Sequence, residues 1–237
     1  MYSYNHPRLS DLLLKIITSN CSAEKTEWLI NQIKEIDSEK GIPSTKKIFS
    51  LIARKIKRAD ITIDTEDLEP ELKNSGIATW DIQRLCRVWF LMQIEPLPKE
   101  TYVQTIDNLF NDAEMHELAA LYSALPYLAY PDSWISRCEE GIRSNLGNVL
   151  EAIMVENPYP AANLDDLAWN QLVLKAFFTE KDISKIIGFE DRMNDKLINS
   201  LRDYAAERTA AGRQVHEKIK EILELYKTND NVHTPNR

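Results

Sequence analysis

The chain has 237 residues, 43% apolar and 28% charged, enough for one large globular domain or two small ones with a real core. Its net charge of −8 gives no whole-molecule attraction to nucleic acid or to an anionic membrane surface. Cys21, Cys86 and Cys138 are odd in number, far apart and outside any CxxC pattern, which argues against a disulfide framework or zinc site and for a reducing cytosol.

Only 6 glycines stand among abundant Leu, Ile, Ala, Glu and Lys, a composition that favours helix over sheet. Leu9, Leu12, Leu13 and Ile16 form the stripe of a first short helix. Asp11 and Lys15 interrupt that run, so it does not read as a signal peptide. Ser22 is the expected N-cap of a second helix with Leu29, Ile33 and Ile36 on its face, ending before Gly41 and Pro43. Ser44 is expected to cap a third, with Ile48, Leu51, Ile52 and Ile56 on the buried side.

That third helix carries Lys46, Lys47, Arg54, Lys55, Lys57 and Arg58 without an acid, and Asp60–Glu71 follows with acids and no base. Either the basic face docks an anionic partner, or the two runs attract each other on solvated surfaces, the ordinary use of such runs. Residues 60–78 form the longest non-periodic stretch and are expected to be a mobile acidic loop.

Trp80–Ile94 is apolar around most of its circumference and is expected to be central; Pro96 and Pro98 stop it. Its Val88–Met92 is the longest wholly apolar run, far short of a membrane span. Further helices are predicted over Lys99–Asn111, from a cap at Asp112, over Asp132–Arg143 and over Asn145–Glu156. The sequence thus predicts a single all-α domain over 1–226: a layered antiparallel array of about ten or eleven helices resembling an α-solenoid of the HEAT or armadillo kind. Residues 227–237 are expected to be a polar, disordered tail.

Motifs for common chemistries are missing from the sequence. His116-Glu117 begins HELAA rather than HExxH, and the four histidines are scattered, so no metal site is expected. Asp165-Asp166 lacks the third carboxylate of an aspartate-rich magnesium motif and reads as a helix start, with acids at the positive end of the dipole. There is no P-loop, GxGxxG or GxSxG, and no cofactor is expected.

The C-terminal third is different. A loop NPYPAAN (Asn157 to Asn163) leads into the apolar helix Asp165–Phe178, where Asn170 and Lys175 are expected to be buried and Gln171 exposed. After Asp191-Arg192, Asn194 is the expected N-cap of a helix with Leu197, Leu201, Tyr204 and Arg208 on one stripe, Glu207 beside them and Gly212 at the C-terminal end. Asn157, Tyr159, Asn163, Asn170, Lys175, Asp191, Arg192, Tyr204, Glu207, Arg208 and Arg213 are therefore candidates for one polar network. It would be either a pocket for an anionic or hydroxylated ligand, or an internal brace locking three segments.

These segments also carry a family resemblance. EAIMVENPYPAANLDDLAWNQLVLKAFF and RMNDKLINSLRDYAAERTAAGR, with ALYSALPYLAYPDSWISRCEEGIRSN upstream, resemble the EboA domain family of bacteria over about residues 118–215. The resemblance implies a soluble, helical, cytoplasmic component of a secondary-metabolite operon of the scytonemin type, linked to metabolite processing and export towards the periplasm. It implies as partners a membrane prenyltransferase-like protein, a sugar-phosphate cyclase-like protein and an isomerase-like protein, or a small anionic metabolite, without nucleic acid or membrane insertion. Two functions fit. One is a non-catalytic helical binding or scaffold component. The other is an enzyme acting on a phosphorylated cyclitol or prenylated intermediate, with Lys175, Arg192 and Arg208 fixing phosphate and Glu207 or Tyr204 moving a proton.

Overall fold

In the computed structural model, which describes residues 5–36, 41–63, 72–73 and 75–232, the helical periodicity becomes twelve α-helices, with no strand among the described residues. In order they are α1 (His6–Asn20), α2 (Ala23–Ile36), α3 (Gly41–Lys55), α4 (Ile82–Met92), α5 (Lys99–Asp112) and α6 (Met115–Ala124). Then come α7 (Ile135–Arg143), α8 (Gly147–Met154), α9 (Tyr159–Asn163), α10 (Asp166–Phe178), α11 (Asp195–Ala210) and α12 (Glu217–Val232). The chain is all-α, as its composition predicts.

Helix α4 is the hub. Every residue from Leu85 to Met92 is buried, and α4 packs against α1, α2, α3 and α6. A helix covered on all sides has to be apolar all round, which is why this segment lacks the polar face of its neighbours. The exception is Arg87, only 3% exposed. Its guanidinium reaches Glu117 on α6 at 3.3 Å and the Phe49 carbonyl on α3 at 3.3 Å, and lies over the Phe49 ring. Burial pulls the Arg87 pKa below its ordinary value, and the Glu117 carboxylate offsets part of that.

Two rows of helices follow from the contacts. One runs α1, α4, α6, α8, α10; the other contains α2, α3 and α5, with α7 against α8 and α10. Helices α11 and α12 continue from α10.

Several helix ends differ from the sequence expectation. Helix α3 begins at Gly41, three residues before Ser44. Pro43 is tolerated because a first-turn residue has no intrahelical acceptor for its N–H. Asp112 ends α5 rather than capping α6. Glu114 is that cap, in a reciprocal capping box with Glu117. Trp80 stands before α4, whose N-cap is Asp81, accepting from the Arg84 N–H at 2.9 Å. Helix α12 continues past Tyr226 to Val232, and positions 233–237 lie outside the described residues.

The expected loop over 60–78 lies partly outside the described residues, at 64–71 and 74. At its edges the chain is held. The Asn20 side chain pairs with both backbone groups of Thr62, at 2.7 and 3.1 Å, as a neighbouring strand would. Asp60 makes an isolated antiparallel bridge to Asp81, and Ile77 is fully buried. The basic run finds acids elsewhere: Lys46 of α3 pairs with Asp112, and Arg58, just past the helix, with Asp81. The Lys46–Asp112 pair is well exposed on both sides and contributes little to stability, whereas in the other pair Asp81 is largely covered.

Among the described glycines, Gly141 on α7 has the least room for a side chain. A Cβ there would strike Ile153 of α8, and would lie 2.7 Å from the Tyr122 ring of α6. Gly→Ala in an open helix gains about 0.5–1 kcal/mol. Here the sign reverses: Gly141→Ala is predicted to lower unfolding free energy by about 1–3 kcal/mol, read by urea denaturation. A stabilised variant would show that α7 does not pack this closely.

Candidate functional site

The residues singled out in the C-terminal third separate into two groups with different surroundings, while Lys175, Asp191, Glu207 and Arg213 join neither.

The first group is an internal brace. NPYPAAN is not a loop but contains the one-turn helix α9, because Asn157 organises its start. The buried Asn157 amide donates to the Tyr122 carbonyl at 3.1 Å and the Ala152 carbonyl at 2.7 Å, and its oxygen accepts the Tyr159 N–H at 2.9 Å. One side chain thereby ties α6, the end of α8 and α9. The Tyr159 hydroxyl donates to the Pro131 carbonyl at 2.6 Å, and Asn163 donates back to the Tyr159 carbonyl at 2.9 Å.

Arg192 closes the other side of α9. Its Nη1 donates to the carbonyls of Leu164 at 2.8 Å and Ala161 at 3.1 Å, and Nη2 meets Asp166 at 2.9 Å. The guanidinium also lies 4.9 Å from the centre of the Trp169 ring. Asn170 and Asn194 exchange amide bonds at 2.9 and 3.1 Å, while the Asn194 oxygen caps α11 at the Leu197 N–H. Asp165 caps α10 at the Ala168 N–H, the helix-start role its sequence position predicts. The Asn, Tyr and Arg side chains of this group are engaged by the protein itself; the buried Trp169 indole N–H is the exception.

The second group lines an open cleft of about 590 Å³ where α10, α11 and the start of α12 meet. Phe177, Phe178, Tyr204, Val215 and His216 supply its apolar and aromatic walls. Glu180 also lines it, and Lys220 is paired with Glu217 at 2.8 Å, which leaves Arg208 as the cation without an acid partner among the described residues. Phe178, 60% exposed, stacks edge-on against Tyr204 at 4.7 Å, and Phe177 against His216 at 5.4 Å. Arg208 lies over the Tyr204 ring at 5.7 Å, and its Nε donates to the Gln214 carbonyl at 2.7 Å. Gly212, with φ of +66°, reverses the chain after α11 so that 214–216 come back beside Arg208. The remaining guanidinium N–H groups of Arg208 have no acceptor among the described residues.

Lys175 is not buried beside Arg208. It is half-buried on α10 and donates to the Asn145 side chain at 3.0 Å. Helix α10 is less enclosed than its composition predicts, since Leu167 and Phe178 are 69% and 60% exposed. Asp191, Glu207 and Arg213 are exposed. Lys175, Arg192 and Arg208 each have a different internal partner, so they do not form a common phosphate clamp. Sequence reasoning missed Phe177, Phe178, His216 and Lys220 as cleft residues. Exposed Phe178 beside a helix end was the available signal, but exposure is not visible in the sequence. Among the described residues, no group of three or more His, Cys, Asp or Glu is placed to hold a metal ion.

Two predictions concern the brace. Asn157→Ala leaves the Ala152 carbonyl and the Tyr159 N–H without the amide, while the Tyr122 carbonyl keeps the Leu125 N–H. It is expected to cost about 2–3 kcal/mol of unfolding free energy, and a cost under ~1 kcal/mol would remove it from the brace. Burial also pushes the phenols of Tyr122, Tyr127 and Tyr159 upward, so their unfolded counterparts, titrating near ~10, ionise first. The stability these phenols contribute is intact below about pH 10 and is lost as pH rises above it. Thermal unfolding followed across that range should fall less steeply in Tyr159→Phe than in wild type; parallel curves would contradict the assignment.

A family model described as "Metabolite traffic protein EboA" matches residues 9–224, reaching well beyond the 118–215 stretch that carries the sequence resemblance. No curated protein and no solved structure matches the chain significantly.

Proposed function

Because the chain belongs to the EboA family of metabolite traffic proteins, we propose that it is a non-catalytic helical binding component that carries or presents a metabolite to partner proteins. The cleft between α10, α11 and α12 is the observation that carries this reading. Its aromatic walls suit a flat or apolar body, and Arg208 suits an anionic or hydroxylated edge, as in many ligand sites with a few polar groups in an apolar lining.

The brace supports the same reading from the other side. Of the cations an enzyme reading gives to phosphate, Arg192 is engaged in holding α9, α10 and α11 together and Lys175 donates to Asn145 away from the cleft. The function also draws on a scaffold role. We read the two rows of helices as a short α-solenoid of the HEAT or armadillo type, whose exposed faces dock other products of a scytonemin-type secondary-metabolite operon during export. We place this work in the cytoplasm, and among the described residues no helix is long and apolar enough to cross a membrane.

The test is binding of 8-anilinonaphthalene-1-sulfonate, an aromatic anion of the class the cleft suits. Wild type should bind it saturably with one site. Arg208→Ala and Tyr204→Ala should each weaken binding about tenfold, the loss of ~1.4 kcal/mol, with melting temperature within a few degrees of wild type. Lys175→Met, away from the cleft, should bind like wild type. Absent saturable binding, or equal binding by all three variants, would refute the cleft as the carrier.

A further inference from the structure

A separate cavity lies at the other end of the α4–α6–α8 row. It is a pit of about 60 Å³ between the start of α4, the end of α6 and the end of α8. Exposed Thr79, Glu151 and Lys185 stand at its mouth, and buried Ser75, Trp80, Ser123 and Asn157 lie deeper. That space takes a small oxyanion or a few waters.

Most polar groups of the pit are already engaged. Asn157 is held as described above, Ser75 donates to the Leu72 carbonyl and Thr79 to the Gly76 carbonyl. Glu151 is held by Lys181 at 2.7 Å, and Glu156 by Lys185 at 3.6 Å. The positive φ of Glu156, at 51°, lets its N–H donate to the Lys185 carbonyl at 2.8 Å, which fixes the rim. Asp81, the acid nearest Arg84 in sequence, spends its two oxygens on the Arg84 backbone N–H and on Arg58.

Three donors are left over. The Arg84 side chain makes no hydrogen bond and no ion pair with any described residue. Ser123 is 3% exposed, and its Oγ has no partner. The Trp80 indole N–H donates to no described residue either. Burial pulls the Arg84 pKa below its ordinary value, with Asp81 and Glu151 offsetting part of that. Of the three, the Ser123 hydroxyl is closed off from solvent and costly without a partner, while the half-buried Arg84 guanidinium and the Trp80 indole N–H still reach solvent through the pit. With the two glutamates held by two lysines, the charge left over is that of Arg84. An anion accepts from all three donors at once and also offsets that charge.

We propose that this pit binds a tetrahedral oxyanion of phosphate size, free or as the terminal phosphate of a metabolite, through Arg84, Ser123 and Trp80. It stands apart from the aromatic cleft and does not depend on it.

The test uses the full chain, with inorganic phosphate and glucose 6-phosphate as probes in calorimetry and thermal unfolding, against chloride at matched ionic strength. Wild type should bind at least one probe saturably and melt at higher temperature in its presence. Tighter binding of the sugar phosphate identifies a metabolite headgroup as the ligand source, and tighter binding of inorganic phosphate identifies the free ion. Arg84→Met should weaken binding at least tenfold and Ser123→Ala several-fold. In phosphate-free buffer both variants should melt at or above the wild-type temperature, because each removes a desolvated group that has no protein partner. Failure of both probes to bind wild type, undiminished binding by Arg84→Met, or a fall in melting temperature of either variant in phosphate-free buffer would overturn the proposal.

Discussion

The guanidinium of Arg192 ties together three segments that the chain leaves to be joined. It accepts no substitute of simpler shape: a planar group with several donors is needed to reach the Leu164 and Ala161 carbonyls and the Asp166 carboxylate while lying over the Trp169 ring. The carbonyl bonds matter most, since Asp166 is largely exposed and that ion pair is weakened by solvent. With Arg192 in place, Asn194 meets Asn170 and caps α11 at a fixed point. Tyr204 then stands about 15 Å along the helix, where it meets Phe178 at the end of α10. The cleft geometry is thus set by polar contacts located outside it.

This division changes the meaning of the polar residues in the C-terminal third. A buried polar network either holds the protein or serves a ligand, and here the two tasks fall to different residues. Asn157, Tyr159, Asn163, Asn170 and Arg192 face protein acceptors and donors. Tyr204 and Arg208 face open space, with only part of the guanidinium engaged. At the pit the pattern reverses: Ser123 is buried and Arg84 half-buried, and neither side chain has a hydrogen-bond partner among the described residues. Asn157 sits between the two regions, lining the pit while bracing α9.

Helix class, the central place of α4, the helix start at Asp165 and the cap at Asn194 were legible because they depend on residues a few positions apart. The capping carboxamide of Asn194 needs only the N–H three residues on. Helix starts at Gly41 and Glu114 were misread, because Pro43 suggests a break and Asp112 a cap until the actual first turns are seen. Lys175 was placed wrongly for a related reason. An apolar helix looks buried all round, yet α10 keeps an exposed strip through Leu167 and Phe178, and a long side chain on it reaches Asn145 instead of the core. The Arg84 pit was invisible, since its donors come from positions 80, 84 and 123 and their lack of partners is a property of the fold alone.

The most direct test of Arg192 as the organising contact is amide hydrogen exchange in wild type and Arg192→Met. The account predicts faster exchange confined to α9, the first turn of α10 and the first turn of α11, with α4 and α6 protected as in wild type. Unchanged exchange across α9 to α11, or a uniform increase through α4 and α6, would contradict it.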